Sequence, residues 1–353
     1  MLNSINTEKD LPFVSIIIPC RNEEEFVGKC LDSIIANDFP KNRLEVLVVD
    51  GMSEDRTREI VNGYLEKYLF IRLLDNPNKI TPSSFNIGIK NARGEVIMIM
   101  SSHATYEKDY ISKCVRYLRK YDADNVGGIC VTLPGRDTLQ ANSIALVLSH
   151  PFGVGNAYFR IGLKKPRSVD TVPFGCFKRE VFSKIGLFDE DLVRNQDDEF
   201  NLRLIKNGGK ILLFPDIVSY YYSRDRISKL SKMYFQYGYF KPLVAQKVGG
   251  LLTWRQIIPS LLVSLLFLTG ILSFFGKHFF LLFLIILGTY ACVSFFVSLS
   301  LALRRDIRLI PFLIASFAAA HWSYGVGYLK GVWDIIIWKK NMKHRIADVD
   351  LTR

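Results

Sequence analysis

Two apolar runs near the end of the chain, Ile257–Phe275 and Phe279–Leu303, constrain what it can fold into more than any other feature. Only Gly276-Lys277-His278 separates them, and neither contains an acidic or basic residue. A helix needs about 20 apolar residues to cross a bilayer core of about 30 Å. A helix in a soluble core rarely runs that long without a polar face. The spacing therefore predicts a tight helical hairpin in a membrane. A third apolar stretch, 309–330, follows the basic loop Arg304-Arg305-Asp306-Ile307-Arg308 and reaches less cleanly to Trp338. Three crossings are expected, although glycines at 325, 327 and 331 also suit a helix that re-enters or lies in the interface. The positive-inside rule places the 304–308 loop, and with it the part of the chain before the hairpin, in the cytoplasm. Met1–Pro12 is polar and shows no apolar core of a signal peptide.

The remainder reads as a soluble enzyme-sized domain. In 353 residues, 46 Lys+Arg against 34 Asp+Glu give +12. The 49% hydrophobic content excludes a disordered chain. Six Cys without a C-x-x-C pair argue against a disulfide scaffold, a zinc cage or a redox motif, and a reducing compartment is the simplest setting. The expected division is 1–250 as a cytoplasmic domain, 251–340 as a membrane region with apolar helices 257–275, 279–303 and 309–330, and 341–353 as a polar tail. Nucleic-acid binding is the generic reading of a basic chain. Here the basic residues are spread along the domain and flank the apolar runs, so anionic lipid and diphosphate ligands account for them at least as well.

Within 1–250, β-branched runs alternate with stretches of helical spacing. Strands are predicted at 14–19, 44–50, 70–74 and 94–100, with helices at 23–35, 55–67 and 83–92 between them. Repeated βα units imply a parallel sheet covered by helices, with ligands beyond the carboxyl ends of its strands. Those ends are Pro19–Glu23, Asp50–Ser53 and Ser101–His103. No G-x-G-x-x-G or G-x-x-x-x-G-K-[ST] follows the first strand, which argues against a Rossmann dinucleotide site or a P-loop. A carboxylate just past a strand suits ribose hydroxyls or a base N–H, and equally a turn or helix cap. Further on, Asp197, Asp198 and Glu199 stand together before an apolar-periodic stretch. Adjacent acids repel one another and raise at least one pKa, which makes a better general base near neutral pH. The same pattern also belongs to a solvated helix N-terminus favoured by the helix dipole.

Several motifs in order carry a resemblance. These are I-I-I-P-C-R-N-E-E at the first strand, V-V-D-G-M-S-E-D-R-T at the second, and N-x-G at Asn86–Gly88. A-R-G-E at Ala92–Glu95 and an acidic cluster with Arg203 six residues after Asp197 complete the series. Over about residues 12–245 the chain resembles a family 2 glycosyltransferase with the α/β GT-A fold, a nucleotide-diphospho-sugar transferase domain on a mostly parallel sheet. Pro151–Ala157 and Val169-Asp170-Thr171-Val172 further resemble the exopolysaccharide, succinoglycan-type subgroup, whose members are membrane-anchored and act on lipid-linked sugars. The resemblance implies an inverting hexosyltransferase that uses a UDP- or GDP-type nucleotide sugar and a lipid-linked saccharide acceptor at the cell membrane. Membrane lipid and other polysaccharide-assembly enzymes are its implied partners. Asp197 would be the catalytic base, with Asp198 and Glu199 orienting the acceptor or tuning it. Pro19, Arg21, Glu23, Asp50, Ser53, Ser101, Ser102, Arg224 and Lys241 would bind donor. His103 would ligate Mn²⁺ or Mg²⁺ in the place of the family's D-x-D or D-x-H, whose first acid is here Ser101. Two alternatives share the fold: a polyprenyl-phosphate glycosyltransferase making a lipid-phosphate sugar, and a non-catalytic binding or scaffold protein with an impaired metal motif.

Overall fold

The computed structural model describes residues 11–250 and 254–338, which leaves the first ten residues and the basic tail from Lys339 outside it. The chain divides into two compact units. Among the described residues these are 11–131 with 162–221, and 132–161 with 222–338. The boundary expected at 250 thus falls inside the second unit, which also takes a segment from the middle of the expected cytoplasmic domain.

The first unit is an α/β layer structure. Its opening strand β1 (Val14–Cys20) and its neighbour β2 (Leu44–Asp50) are buried almost throughout. Such continuous β-branched runs belong in a sheet covered on both faces. They are followed by β3 (Ile71–Asp75), β4 (Val96–Ile99), β5 (Ala104–Tyr106), β6 (Asn125–Leu133), β7 (Arg167–Ser168), β8 (Cys176–Lys178) and β9 (Ile211–Tyr222). Together the nine strands form one sheet in the order β3-β2-β1-β4-β8-β6-β9-β5, with β7 paired to β9. The parallel order expected from the sequence holds for β3-β2-β1-β4. Beyond β4 the pairs β4–β8, β8–β6, β9–β5 and β9–β7 are antiparallel, so the sheet is mixed. The short strands β5, β7 and β8 carry no periodic signal of their own, and pairing partners decide their direction.

Helices α1 (Val27–Ile35), α2 (Thr57–Leu65), α3 (Thr81–Asn91) and α4 (Tyr110–Lys120) follow strands in the first half. α1 buries Val27, Cys30, Leu31 and Ile34, the one-faced spacing that its sequence showed. β1 lies between β2 and β4 and pairs with both in parallel. The connections leave it in opposite directions there, and in open α/β sheets ligands collect at the carboxyl ends beside such a switch. Two motif glycines serve packing. A Cβ at Gly88 in α3 would lie 2.4 Å from Ile17 of β1, and one at Gly94 would lie 2.6 Å from the Ser15 backbone nitrogen. Asn86 of the same N-x-G motif accepts from Phe188 N–H at 3.0 Å and donates to Phe188 O at 2.9 Å and Glu190 Oε1 at 2.8 Å.

The second unit is helical. It comprises α5 (Leu139–Val147), α6 (Pro151–Val154) and α7 (Tyr158–Ile161) from the middle of the chain. After α8 (Glu180–Ile185) and α9 (Gln196–Lys206) of the first unit, it resumes with α10 (Ile227–Val248), α11 (Trp254–Leu272), α12 (Lys277–Leu303) and α13 (Ile310–Gly331). α13 ends in a π-helical turn, Val332–Ile337. Among the described residues two stretches are long and apolar enough to cross a membrane: Lys277–Leu303, whose apolar segment is 6% buried, and Ile307–Ile337, whose apolar segment is 39% buried. The first helix of the expected hairpin is shorter in its apolar part, Gln256–Leu272.

The two long stretches differ in kind. α12 exposes aliphatic and aromatic side chains along its length, as a lipid-facing helix does. α13 is packed against protein along part of its surface. Cβ atoms at Gly327 and Gly331 would lie 2.2 Å from the carbonyls of Phe235 and Tyr239, so these glycines let α10 and α13 approach backbone to backbone. Buried polar groups tie α13 to its neighbours. Ser316 meets Ser143 at 3.0 Å, and Ser323 meets Ser231 at 2.6 Å. His321 Nε2 lies 2.7 Å from Phe152 O, which can only accept, so Nδ1 takes the hydrogen bond of the Tyr290 hydroxyl at 3.0 Å.

Candidate active site at the strand ends

The ends of β1 and β2 are laced together by their backbones. Asn22 N–H donates to Ser53 Oγ at 2.9 Å, Glu54 N–H to Asn22 Oδ1 at 2.9 Å, and Glu23 N–H to Thr57 Oγ1 at 2.7 Å. Asn22 and Met52 sit at positive φ, 52° and 57°. Asn tolerates that region, whereas a long side chain such as Met52 holds it only under constraint from its surroundings, and such strain gathers at functional loops.

Asp50 is the polar centre of this lacework. Its carboxylate has no exposed surface. Oδ1 accepts from the Ser53 hydroxyl at 2.5 Å, and Oδ2 accepts from Ser53 N–H at 3.0 Å and Arg58 Nη1 at 2.7 Å. The same Arg58 nitrogen lies 2.7 Å from Asp75 Oδ1. Asp50 and Asp75 are register partners at the ends of neighbouring strands, so a cation between them removes their repulsion. The two carboxylates in turn hold the Arg58 guanidinium even more firmly charged. The resemblance gives Asp50 to the donor with Ser53 beside it. The structure closes its carboxylate behind Ser53 and, in addition, Arg58. Arg58 went unnoticed because only the turn of α2 over the strand ends brings it there. Pro19 and Arg21 are half-buried beside these loops, with Arg21 3.8 Å from Glu54.

The end of β4 contributes Ser101, Ser102 and His103. Ser101 N–H donates to the Tyr106 hydroxyl at 2.7 Å, and Ser102 is buried. His103 Nδ1 lies 2.9 Å from Glu23 Oε1, and the ring meets Tyr221 edge-on at 5.2 Å. Glu23, expected in the base pocket, is therefore the partner of His103. Burial, reinforced by Glu23 and Asp50, pushes the Cys20 thiol well up, which makes it an inert packing group. Among the described residues no three His, Cys, Asp or Glu side chains gather to hold a metal ion. A carboxylate on one imidazole nitrogen is the usual support for a metal-binding histidine, so Nε2 of His103 is the atom a metal would use. The residues fit an ion held chiefly by substrate oxygens with His103 as the protein's ligand, and do not fit a self-sufficient metal centre.

α9 begins after Asn195, whose φ is 62°. It places three acids in its first turn, where the helix dipole favours them. They point differently. Asp197 is exposed, Asp198 half-buried and Glu199 buried. Arg203 grips Glu199 with two bonds of 2.7 and 2.8 Å, and donates to the carbonyls of Ile185 and Leu187. Glu199 therefore faces into the protein and anchors the helix, which removes it from the acceptor-facing role expected of it. Asn201 continues the anchoring, accepting from Asn125 and donating to Thr171, both at 2.9 Å. Arg224 and Lys241 belong to the second unit, where both are buried. The strand-end cluster of the first unit is built without them.

This mixed sheet with its ligand-facing strand ends is the GT-A fold. PcManGT, a mannosyltransferase from Pyrobaculum calidifontis solved with GDP-Man and Mn²⁺, matches it with a TM-score of 0.59 at 20% identity, over 94% of this chain and 90% of that one. The family model for glycosyl transferase family 2 matches residues 15–186. A relative from Methanococcus voltae is 32% identical over 271 residues, 74% of this chain and 83% of its own. It is named dolichyl N-acetyl-alpha-D-glucosaminyl phosphate 3-beta-D-2,3-diacetamido-2,3-dideoxy-beta-D-glucuronosyltransferase. The succinoglycan biosynthesis protein ExoA from Rhizobium meliloti is 25% identical over 316 residues, 88% of this chain and 92% of its own. The chain belongs to glycosyltransferase family 2, and the protein is a glycosyltransferase.

Proposed function

We propose that the protein transfers a sugar, with inversion, from a nucleoside diphosphate sugar to a lipid-linked saccharide at the cytoplasmic face of a membrane. The observation that carries this reading is the first turn of α9. One carboxylate, Asp197, is turned outward while the next acid but one is locked by Arg203. That division gives a positioned base on a rigid support. The acceptor hydroxyl loses its proton to Asp197 as its oxygen bonds to the anomeric carbon. The bond from that carbon to the diphosphate breaks on the opposite face, and the nucleoside diphosphate departs. Asp198 lies beside the incoming acceptor. Pro19, Arg21 and Ser53 line the nucleoside site, which Asp50 shapes from behind by holding Ser53, and Ser101 and Ser102 lie towards its ribose and phosphates. His103 would hold a divalent cation, which would supply positive charge to the leaving diphosphate. Glu23 orients His103.

The lipid-linked acceptor is supported by the name of the Methanococcus voltae relative, which gives a dolichyl-linked sugar phosphate as its substrate. The apolar helices α11, α12 and α13 are proposed as the multi-pass anchor that brings the site to such a lipid.

The test is an assay of membranes carrying the protein with a panel of labelled nucleotide sugars and lipid extract, with and without Mn²⁺ or Mg²⁺. Asp197→Asn should fold and bind donor while transfer falls by about 10²–10⁴-fold, the usual worth of a positioned base. Near-normal turnover by the purified Asp197→Asn variant would remove Asp197 from the mechanism.

A further inference from the structure

The last turns of α13 and the π-helical turn that follows are covered on one side only. Gly327, Gly331 and Asp334 are buried, while Val326, Leu329, Lys330, Trp333, Ile336 and Ile337 are exposed. Their helical spacing gathers the exposed residues on one face. Lys330 is the single charge on that otherwise apolar stripe.

Lys330 is held, unlike an ordinary surface lysine. Its Nζ lies 3.2 Å from Asp334 Oδ2, one turn on, and the same oxygen accepts from the Tyr239 hydroxyl of α10 at 3.0 Å. Asp334 is 1% exposed. A buried carboxylate on an apolar helix is costly, and it persists where its partners are fixed. It sits in the π-helical turn Val332–Ile337, a form of helix that gathers at functional sites. Asp334 thus ties one N–H of Lys330 inward. An ammonium has three, so two remain on a side chain that is 52% exposed.

The apolar neighbours of Lys330 offer those two donors no acceptor. A continuous apolar face belongs in lipid, and a lysine on such a face reaches for the headgroups. Trp333 and Trp338, both exposed and with ring centroids 6.0 Å apart, mark the same level, because tryptophan gathers where hydrocarbon meets headgroups. In the sequence Lys339, Lys340, Lys343 and Arg345 follow directly, so positive charge accumulates at this end of the helix. The phosphate oxygens of an anionic lipid match both the two N–H groups and this charge.

We infer that Lys330, positioned by Asp334 and flanked by Trp333, is a binding site for the phosphate of an anionic bilayer phospholipid, whose acyl chains lie against the apolar stripe. The site goes beyond the proposed sugar transfer. It takes a lipid that is not consumed, and it fixes the depth of this end of α13 in the membrane.

The test is tryptophan quenching in the full-length protein, reconstituted into nanodiscs with brominated phosphatidylglycerol or brominated phosphatidylcholine at equal mole fraction. The signal read is the quenching that Trp333→Phe removes. The wild type should show the anionic lipid enriched about fivefold over the zwitterionic one, the worth of one lysine near an anionic surface. Lys330→Gln should bring the two lipids level. Because that change takes a counter-ion from buried Asp334, the double variant Lys330→Gln with Asp334→Asn removes both charges together and should lose the preference in the same way. Asp334→Asn alone keeps the lysine and should keep the preference. A lysine that serves only as counter-ion would lower the melting temperature when replaced and leave the lipid preference unchanged, which overturns the inference. Equal quenching by the two lipids in the wild type overturns it, and so does quenching by neither, which would put this end of α13 outside the bilayer. No arm reads sugar transfer, so these failures leave the glycosyltransferase reading standing.

Discussion

Glu45 shows how a single residue can be mistaken for function. It is a fully buried acid at the start of β2. Ser15 Oγ donates to it at 2.6 Å, and Arg93 gives it a backbone bond at 2.6 Å and a side-chain bond at 3.1 Å. These partners explain the A-R-G-E motif as the fastening of the β4 approach to β1 and β2, away from the carboxyl ends of the strands. Burial alone would raise the Glu45 pKa. The hydrogen bonds from Ser15 and Arg93 and the Arg93 charge outweigh it and hold the carboxyl below the usual Glu value. A folded-state pKa depressed in this way stabilises the fold above the unfolded value, about 4.3, and the contribution is lost as pH falls through the folded one. Glu45→Gln should cost about 1–3 kcal/mol at neutral pH. The gap to wild type should close below about pH 4. Thermal unfolding of both proteins from pH 3 to 8 checks this, and a gap that stays constant would contradict it.

At the scale of elements, the motif glycines decide how α3 and β4 seat against β1. Gly88 faces the buried, branched side chain of Ile17, whereas Gly94 faces the backbone of Phe13 and Ser15, which has no rotamer to change. Gly88→Ala should cost about 1–3 kcal/mol through overpacking. Gly94→Ala should cost more, because the backbone positions of β1 are fixed by pairing on both sides. Melting temperatures of the two variants test the order, and a milder Gly94→Ala would show that the connection gives way. α9 makes the same point for function. Its periodicity was readable, but which of its three acids points outward depends on Arg203, one turn along, reaching the carbonyls of Ile185 and Leu187.

For the whole molecule, the proposed membrane orientation can be measured. With the first unit in the cytoplasm, the Lys277-His278 turn should be reached from the far side and the 304–308 loop from the cytoplasmic side. Single cysteines at Lys277 and Arg305, introduced after replacing the exposed Cys292, should label with an impermeant maleimide from opposite faces of sealed membranes. Labelling of both from one face would dismiss the hairpin. Burial separates the other long stretch from α12. At 39% against 6%, and with His321 and Ser316 bonded to the middle-chain helices, it is held by protein to a degree that a lone lipid-facing span is not.

The sequence by itself determined the elements whose signal is local. β1 to β4 and α1 to α3 are each marked by a run of one period, and the apolar helices by length and lack of charge. Their order, with the motifs at the strand ends, was enough to point to the GT-A fold. Only tertiary structure decided the direction of the short strands β5, β7 and β8, which no period announces. It also moved residues 132–161 into the helical unit. And it decided the partners that give the site its character: Arg58 between Asp50 and Asp75, Glu23 on His103, and Arg203 on Glu199. A side chain's type is written in the sequence. Whether a carboxylate is enclosed, supports a histidine or anchors a helix depends on which partners the fold brings within 3 Å, and two of these three pairings join residues far apart in the chain.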